Sequence, residues 1–202
     1  MITIRLGPRR GTVLLGIGLL AAGSALGMYA THQLAWGSAA TAAEARQVSG
    51  QVRQSWERER PRQDARPTPG QTIALLRIPR LGPAYEVAIV EGVGNEVVGR
   101  GLVGHVPGTA FPGQAGNFAV TGYRVTHGEP FRQLTRLRPG DPIIVETPDT
   151  TYTYVVVSDP RQTAAGPDQA LLTLTTCASV WNAQQHLIVF ARLATSSPEQ
   201  AR

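Results

Sequence analysis

The chain predicts an all-β domain, a barrel or a sandwich, placed behind an N-terminal apolar segment. From residue 72 onward the sequence falls into seven short runs rich in Val, Ile, Leu, Thr and Tyr. Gly and Pro punctuate the gaps, and no amphipathic helix of useful length separates one run from the next. A parallel α/β sheet needs a crossover helix in each gap, so that class is disfavoured.

The expected strands are 73–78, 86–90, 117–121, 142–146, 151–157, 171–176 and 186–193. Breaks stand at Leu81-Gly82-Pro83, Gly108, Pro112-Gly113, Pro139-Gly140 and Gly166-Pro167. Within the fifth run Thr151-Tyr152-Thr153-Tyr154 alternates cleanly, which predicts one solvated face.

Ahead of the strands, residues 1–10 carry Arg5, Arg9 and Arg10. The stretch 11–43 is free of Asp, Glu, Lys and Arg and holds Val13, Leu14, Leu15, Ile17, Leu19, Leu20, Leu26 and Met28. A bilayer crossing takes about 20 mostly apolar residues, so 11–36 is expected to be a transmembrane signal anchor. Arginines before the span outweigh Arg46 and Arg53 after it, which Glu44 partly balances; this predicts a cytoplasmic N-terminus at 1–10 and an exported domain. A cleaved signal peptide is the rival reading, with small residues at 38–43 offering a cleavage site, although the apolar stretch exceeds the usual length of such a peptide's core. Gly23 and Gly27 form a GxxxG pair that a Gly- and Ala-rich span produces by chance.

Residues 37–71 turn polar, with Arg53, Glu57, Arg58, Glu59, Arg60, Arg62, Asp64 and Arg66 before Pro67, Pro69 and Gly70. Part of this segment, up to Arg60, has helical character. It lacks a broad apolar stripe and reads as an extracytoplasmic linker. The folded domain is expected over 72–195, with 196–202 as a C-terminal tail.

Cys177, the single cysteine, ends the sixth run in Thr173-Leu174-Thr175-Thr176-Cys177. Its plain reading is a small buried core residue. Export changes the weighting, because an unpaired thiol outside the membrane is open to oxidation and stands out as a candidate nucleophile. The net charge of +5 and pI near 10.1 come from 19 arginines and no lysine, scattered along the chain rather than gathered on one motif. That distribution argues against nucleic-acid binding and suits a surface facing anionic lipid or wall polymer. The four histidines lack ligand-like spacing and have no second cysteine beside them, so neither a metal nor another cofactor is expected.

The order of motifs carries a resemblance. Leu76-Arg77-Ile78-Pro79-Arg80-Leu81-Gly82 is followed by Gly104-His105-Val106-Pro107-Gly108-Thr109-Ala110-Phe111-Pro112-Gly113 and Gly116-Asn117-Phe118-Ala119-Val120-Thr121-Gly122. Leu137-Arg138-Pro139-Gly140-Asp141 comes next, then the run ending in Cys177. Together these resemble the sortases over most of the chain beyond Thr72, and Thr126-His127-Gly128-Glu129-Pro130-Phe131 is similar to a Thr-Tyr-Gly-x-Pro-Phe run of the class E members from high-GC Gram-positive bacteria.

The resemblance implies a closed β-barrel with short connecting helices or turns, and a membrane-anchored cysteine transpeptidase. In that chemistry a thiolate attacks the Thr-Gly bond of a C-terminal sorting signal, typically Leu-Ala-x-Thr-Gly in class E. The resulting acyl group passes to a wall amine. A histidine protonates the leaving amine, and an arginine holds the oxyanion or the substrate.

Carried residue by residue, the nucleophile is Cys177, but the partners differ in type. Tyr123 stands at the family's His position, and a phenol donates a hydrogen bond without cycling near neutral pH as an imidazole does. His127 occupies the class E tyrosine position, so the two residue types look exchanged. Four extended residues span about 13 Å, and a tight turn after Arg124 would bring His127 back as an acid candidate. His186 stands at the family's Arg position and lacks the bidentate guanidinium fork. Under strict alternation Arg192 shares a face with His186; Arg124 and His105 read as structural. The connection between 157 and 171 is shorter than the loop the family usually inserts there.

The expected protein is thus a sortase-like enzyme of the cell membrane, acting on secreted proteins that bear a sorting signal, with a peptidoglycan precursor or other wall amine as acceptor. The alternative is a catalytically impaired homologue that binds or scaffolds partners at the outer membrane face.

Overall fold

In a computed structural model, which describes residues 9–58, 67–158, 169–177 and 187–198, the strands close into one barrel. The side chains of 9–19, 30–38 and 177 lie outside the described set. The elements are α1 (Arg9–Arg58), β1 (Thr72–Arg77), β2 (Glu86–Glu91), α2 (Asn95–Val98), β3 (Val103–His105), β4 (Gly116–Tyr123), β5 (Pro142–Glu146), β6 (Thr150–Val156), β7 (Ala170–Cys177) and β8 (Ile188–Pro198), with 3-10 turns at Pro79–Leu81 and Leu134–Arg136. Around the barrel the order is β1-β2-β3-β4-β7-β8-β6-β5, closed by β5 against β1.

Closure leaves no open sheet edge, and alternation then divides each strand between an inner and an outer face. Phe118 and Val120 of β4, Leu172 and Leu174 of β7, Ile143 and Val145 of β5, and Tyr154 of β6 fill the interior together with Phe131. Most connections are antiparallel. Two are parallel, β2 with β3 and β4 with β7.

The expected barrel is present, with one strand that the sequence pattern did not reveal. β3 is three residues long and has Gly104 at its centre, so it offers no period to read. Gly104 is required there, because an added Cβ would collide with the Gly92 carbonyl oxygen at the end of β2. The last strand also runs beyond 193, through Pro198, into what read as a tail. After a bulge that skips Ala194, Thr195 to Pro198 pair with Thr153 to Thr150 of β6. Thr and Ser exposed along that extension give no hydrophobic alternation.

The linker expectation is corrected over its first half. Residues from Ser38 belong to the same compact unit as the barrel, the residues up to Gly37 forming a separate one, and α1 continues as helix to Arg58. The stripe it turns to the barrel is Ala45 and Ser49, buried, with Val48, Val52, Arg53 and Trp56, half-buried, spaced i, i+3, i+4, i+7, i+8, i+11. Ala, Ser and Arg make this stripe weakly hydrophobic, which is why it escaped the sequence pattern. It covers a second apolar cluster on the barrel's outside, formed by Leu75, Ala88, Val90, Val97, Val98 and Leu102.

Polar contacts lock the helix. The Ala88 N–H donates to Ser49 Oγ at 3.0 Å, and Ser49 donates in turn to the Ala45 carbonyl. Arg53 places its fork between two carboxylates, with Nη2 2.6 Å from Glu86 and Nη1 and Nη2 each 3.0 Å from Glu146. These partly buried bonds hold the Arg53 guanidinium charged, well above its ordinary range. Among the described residues no helix is long and apolar enough to cross a membrane.

At one end of the barrel Arg80 makes a paired contact with Asp141, Nε and Nη2 lying 2.8 and 2.6 Å from its oxygens, and the Arg138 N–H adds a third bond at 2.8 Å. The Arg80 guanidinium, above all, holds the Asp141 carboxyl below its usual range.

Arg53→Ala should lower unfolding stability by about 2 kcal/mol in urea titrations, and Arg53→Lys should recover less than half, since an ammonium cannot serve both carboxylates with a planar fork. Because the native Asp141 carboxyl titrates lower than in the unfolded chain, its stabilisation is complete above its ordinary value near 3.8 and is lost as pH falls through the native value. Thermal melts from pH 5 to pH 2 should therefore fall less steeply in Asp141→Asn than in the parent chain.

Candidate active site

The site is built by one ladder. β4 and β7 pair in parallel over eight successive residues, from Gly116 with Ala170 to Tyr123 with Cys177. Neighbouring strands lie about 4.8 Å apart, so the backbones of Tyr123 and Cys177 sit side by side where both strands end. The Cys177 side chain is outside the described set. Tyr123 is half-buried and packs on the cluster beneath α1.

The chain then doubles back. Phe131 N–H donates to the Tyr123 carbonyl at 3.0 Å, and Glu129 N–H donates to the Thr126 carbonyl at 3.1 Å, so 124–130 form a tight excursion. Its tip carries His127, whose ring stacks on Tyr123 with centroids 4.5 Å apart and planes 28° apart. Instead of the roughly 13 Å of an extended chain, the imidazole lies against the residue paired with Cys177. His127 is exposed, and its Nδ1 is 2.9 Å from Thr126 Oγ1. Nε2 takes no part in that bond and faces a different direction.

The excursion is pinned from the barrel side. Phe131 enters the core, and the Tyr85 hydroxyl donates to the Pro130 carbonyl at 2.7 Å. Burial pushes the Tyr85 phenol well above its ordinary range, so it stays a donor. Tyr85 did not stand out in the sequence, because a lone tyrosine in the connection between β1 and β2 carries no motif of its own.

On the other side of β7, Thr176 is buried; its N–H donates to the Leu187 carbonyl at 3.1 Å and its Oγ1 accepts from the Leu187 N–H at 3.0 Å. His186 lies outside the described residues; Leu187 is its covalent neighbour. Arg192 pairs with Leu171, six residues along β7 from Cys177 and thus about 20 Å away, so it is removed from this end of the barrel. Arg124 follows Tyr123 directly and is half-buried.

His105 has a different setting. It is buried in β3, with Nδ1 2.5 Å from Glu91 and Nε2 within 3.1 Å of Thr109 Oγ1 and the Ala110 carbonyl. Phe111 and Phe118 flank its ring. Both ring nitrogens are committed to the barrel wall, which gives His105 a structural task. Among the described residues no group of three His, Cys, Asp or Glu side chains could hold a metal ion.

A Cys-ended strand beside a strand ending at position 123, on a closed barrel of this order, has a match. Residues 76–194, more than half of the chain, match the Sortase domain. The chain belongs to the sortase family.

It is 34% identical over 192 residues to sortase SrtE1 of Streptomyces coelicolor, an alignment that takes in 85% of this chain and 54% of that protein. The chain thus spans about half the length of this relative. Among solved structures it is similar to sortase E from Streptomyces avermitilis, at 36% identity and TM-score 0.59, over 65% of this chain and 93% of the other. Sortase E1 from Streptomyces coelicolor, determined with a tripeptide in the active site, is 39% identical with TM-score 0.57, over 66% and 94%. The class E likeness read from Thr126 to Phe131 agrees with these relatives.

Proposed function

We propose that this sortase-family protein is a membrane-anchored cysteine transpeptidase with Cys177 as nucleophile. The observation that carries the reading is the Tyr123–Cys177 register, with the His127 ring returned onto Tyr123. In the proposed reaction the Cys177 thiolate adds to the carbonyl carbon of a Thr-Gly bond in a Leu-Ala-x-Thr-Gly signal. The C–N bond then breaks as a proton passes to the glycine nitrogen, leaving a thioester and a free amine. A wall-precursor amine attacks the thioester, forms a new amide, loses a proton and releases the thiolate.

His127 supplies the proton in this scheme. Its exposed ring is stacked on Tyr123 and is the imidazole nearest the paired strand ends among the described residues. Tyr123 orients that ring through the stack. His186, covalently next to the Leu187 that bonds Thr176, donates to the developing oxyanion in place of the family's arginine. The occupied active site of the tripeptide-bound relative supports a peptide as ligand.

The N-terminal part of α1 serves as the anchor, with Arg5, Arg9 and Arg10 holding its start in the cytoplasm and the barrel outside. The apolar run that would span the bilayer includes Val13, Leu14, Leu15, Ile17 and Leu19, whose side chains are outside the described set.

The detergent-solubilised full chain, incubated with a Leu-Ala-x-Thr-Gly peptide and a glycine-based amine, should give a ligated product and a mass adduct on Cys177, both lost in Cys177→Ala. Tyr at the His position and His at the Arg position favour a second reading, a sortase homologue that binds sorting signals without turnover. Measurable peptide binding with an unmodified thiol would be its signature. A second outcome bears on the same choice: Tyr123→His combined with His186→Arg should raise kcat/KM at least about tenfold, since a positioned acid contributes 10²–10⁴-fold.

A further inference from the structure

The turn that carries His127 has an uncommon backbone. His127, Gly128 and Glu129 all lie at positive φ, 53°, 74° and 51°. For the two residues with side chains this is a strained conformation, and such a run persists only where its surroundings hold it. The barrel holds one side through Tyr85, Phe131 and the stack on Tyr123. The other side rests on α1.

A Cβ placed on Gly128 would lie 3.0 Å from the Ala42 nitrogen, 3.1 Å from its Cα and 3.2 Å from the Thr41 carbonyl carbon. Gly101, where an added Cβ would be 2.9 Å from the His127 carbonyl oxygen, meets Thr41 at 3.2 Å from the same point. Thr41 and Ala42 therefore lie close against Gly128, and Thr41 and the His127 carbonyl both face Gly101. The helix that bears them is fixed by Glu44 with Arg100 at 2.9 Å, by Ser49 with Ala88, and by the Arg53 fork.

We propose that Thr41 and Ala42 are positioning residues for the site, setting the His127 ring over Tyr123, so that docking of α1 on the barrel governs the chemistry at its end. The inference rests on the reading of residues 123, 127 and 177 as the active site. Among the described residues, the exposed His127 ring is held by the stack on Tyr123 and the bond to its neighbour Thr126. A shift of the turn passes straight to the ring, and misplacement by about 1 Å can cost 10²-fold in rate.

The test uses the full chain. Gly128→Ala pushes the turn from Ala42; Gly140→Ala, at φ 92° with open space around it, reports the cost of a side chain at positive φ alone. Gly128→Ala is expected to lower kcat at least about tenfold with KM within twofold, whereas Gly140→Ala keeps parental kcat at a similar melting temperature. Arg53→Ala, which frees the helix without touching the turn, is expected to lower kcat in the same sense and to speed amide hydrogen exchange over 126–131. A Gly128→Ala kcat within twofold of the parent, or unchanged exchange in Arg53→Ala, would overturn the proposal. Should the parent chain form no acyl product, the transpeptidase reading fails by itself, and exchange over 126–131 in the two variants still decides the coupling: faster exchange upholds it and unchanged exchange ends it.

Discussion

The parallel ladder between β4 and β7 is the constraint from which the rest of the molecule follows. It joins strands that begin 54 residues apart in sequence. Parallel neighbours cannot be linked by a hairpin, so everything between them must leave the sheet and return. Here the excursion supplies β5 and β6, which wrap round to close against β1 and β8. Inward residues Phe118, Val120, Leu172 and Leu174 hold the ladder from inside, and burying each contributes about 1.5–3 kcal/mol. What stands at its end, Tyr123 beside Cys177, is therefore fixed by the most buried part of the fold.

Around that end the chain carries residue types other than those the sortase resemblance implies, at the end of an unbroken ladder. An exchange of Tyr and His between 123 and 127 looks disruptive in one dimension. In three dimensions the two rings are stacked, so the exchange moves an imidazole by one ring layer rather than across the barrel. The arginine that the resemblance implies at position 186, where this chain has His186, is not supplied by Arg192, which alternation allowed and register excludes, because β8 runs away from Cys177 along β7.

Legibility in the sequence tracked the strength of the local period. β5 was placed to the residue and β2 to within one, since Ile, Val and turn residues mark both clearly. β3 was invisible because three residues with a central glycine have no period, and the end of β8 because its exposed Thr and Ser pair through backbone alone. The second half of α1 was misread as linker for a related reason. Its contact face is Ala, Ser, Val and Arg, whose burial depends on Glu86, Glu146 and Ala88, residues distant in sequence. Cys177 and position 123 were readable from motifs. Their adjacency, and the return of His127, depended on a turn with three positive φ angles that only one glycine announces.

The strand order has a consequence for how the molecule comes into being. During synthesis from the N-terminus β4 is complete long before β7 exists, and β6 waits for β8. Until the last eleven-residue strand is made, two strands at a time, first β4 and β6 and then β7 and β6, present unpaired N–H and C=O groups to their surroundings. Pairings so remote in sequence form slowly, and half-made barrels are prone to associate with one another. Lying across β2 next to β1, the helix at the start of the domain is made first and is available to shield the outer apolar cluster throughout this interval. It works as a built-in companion for the unfinished chain before it has any part in the finished one.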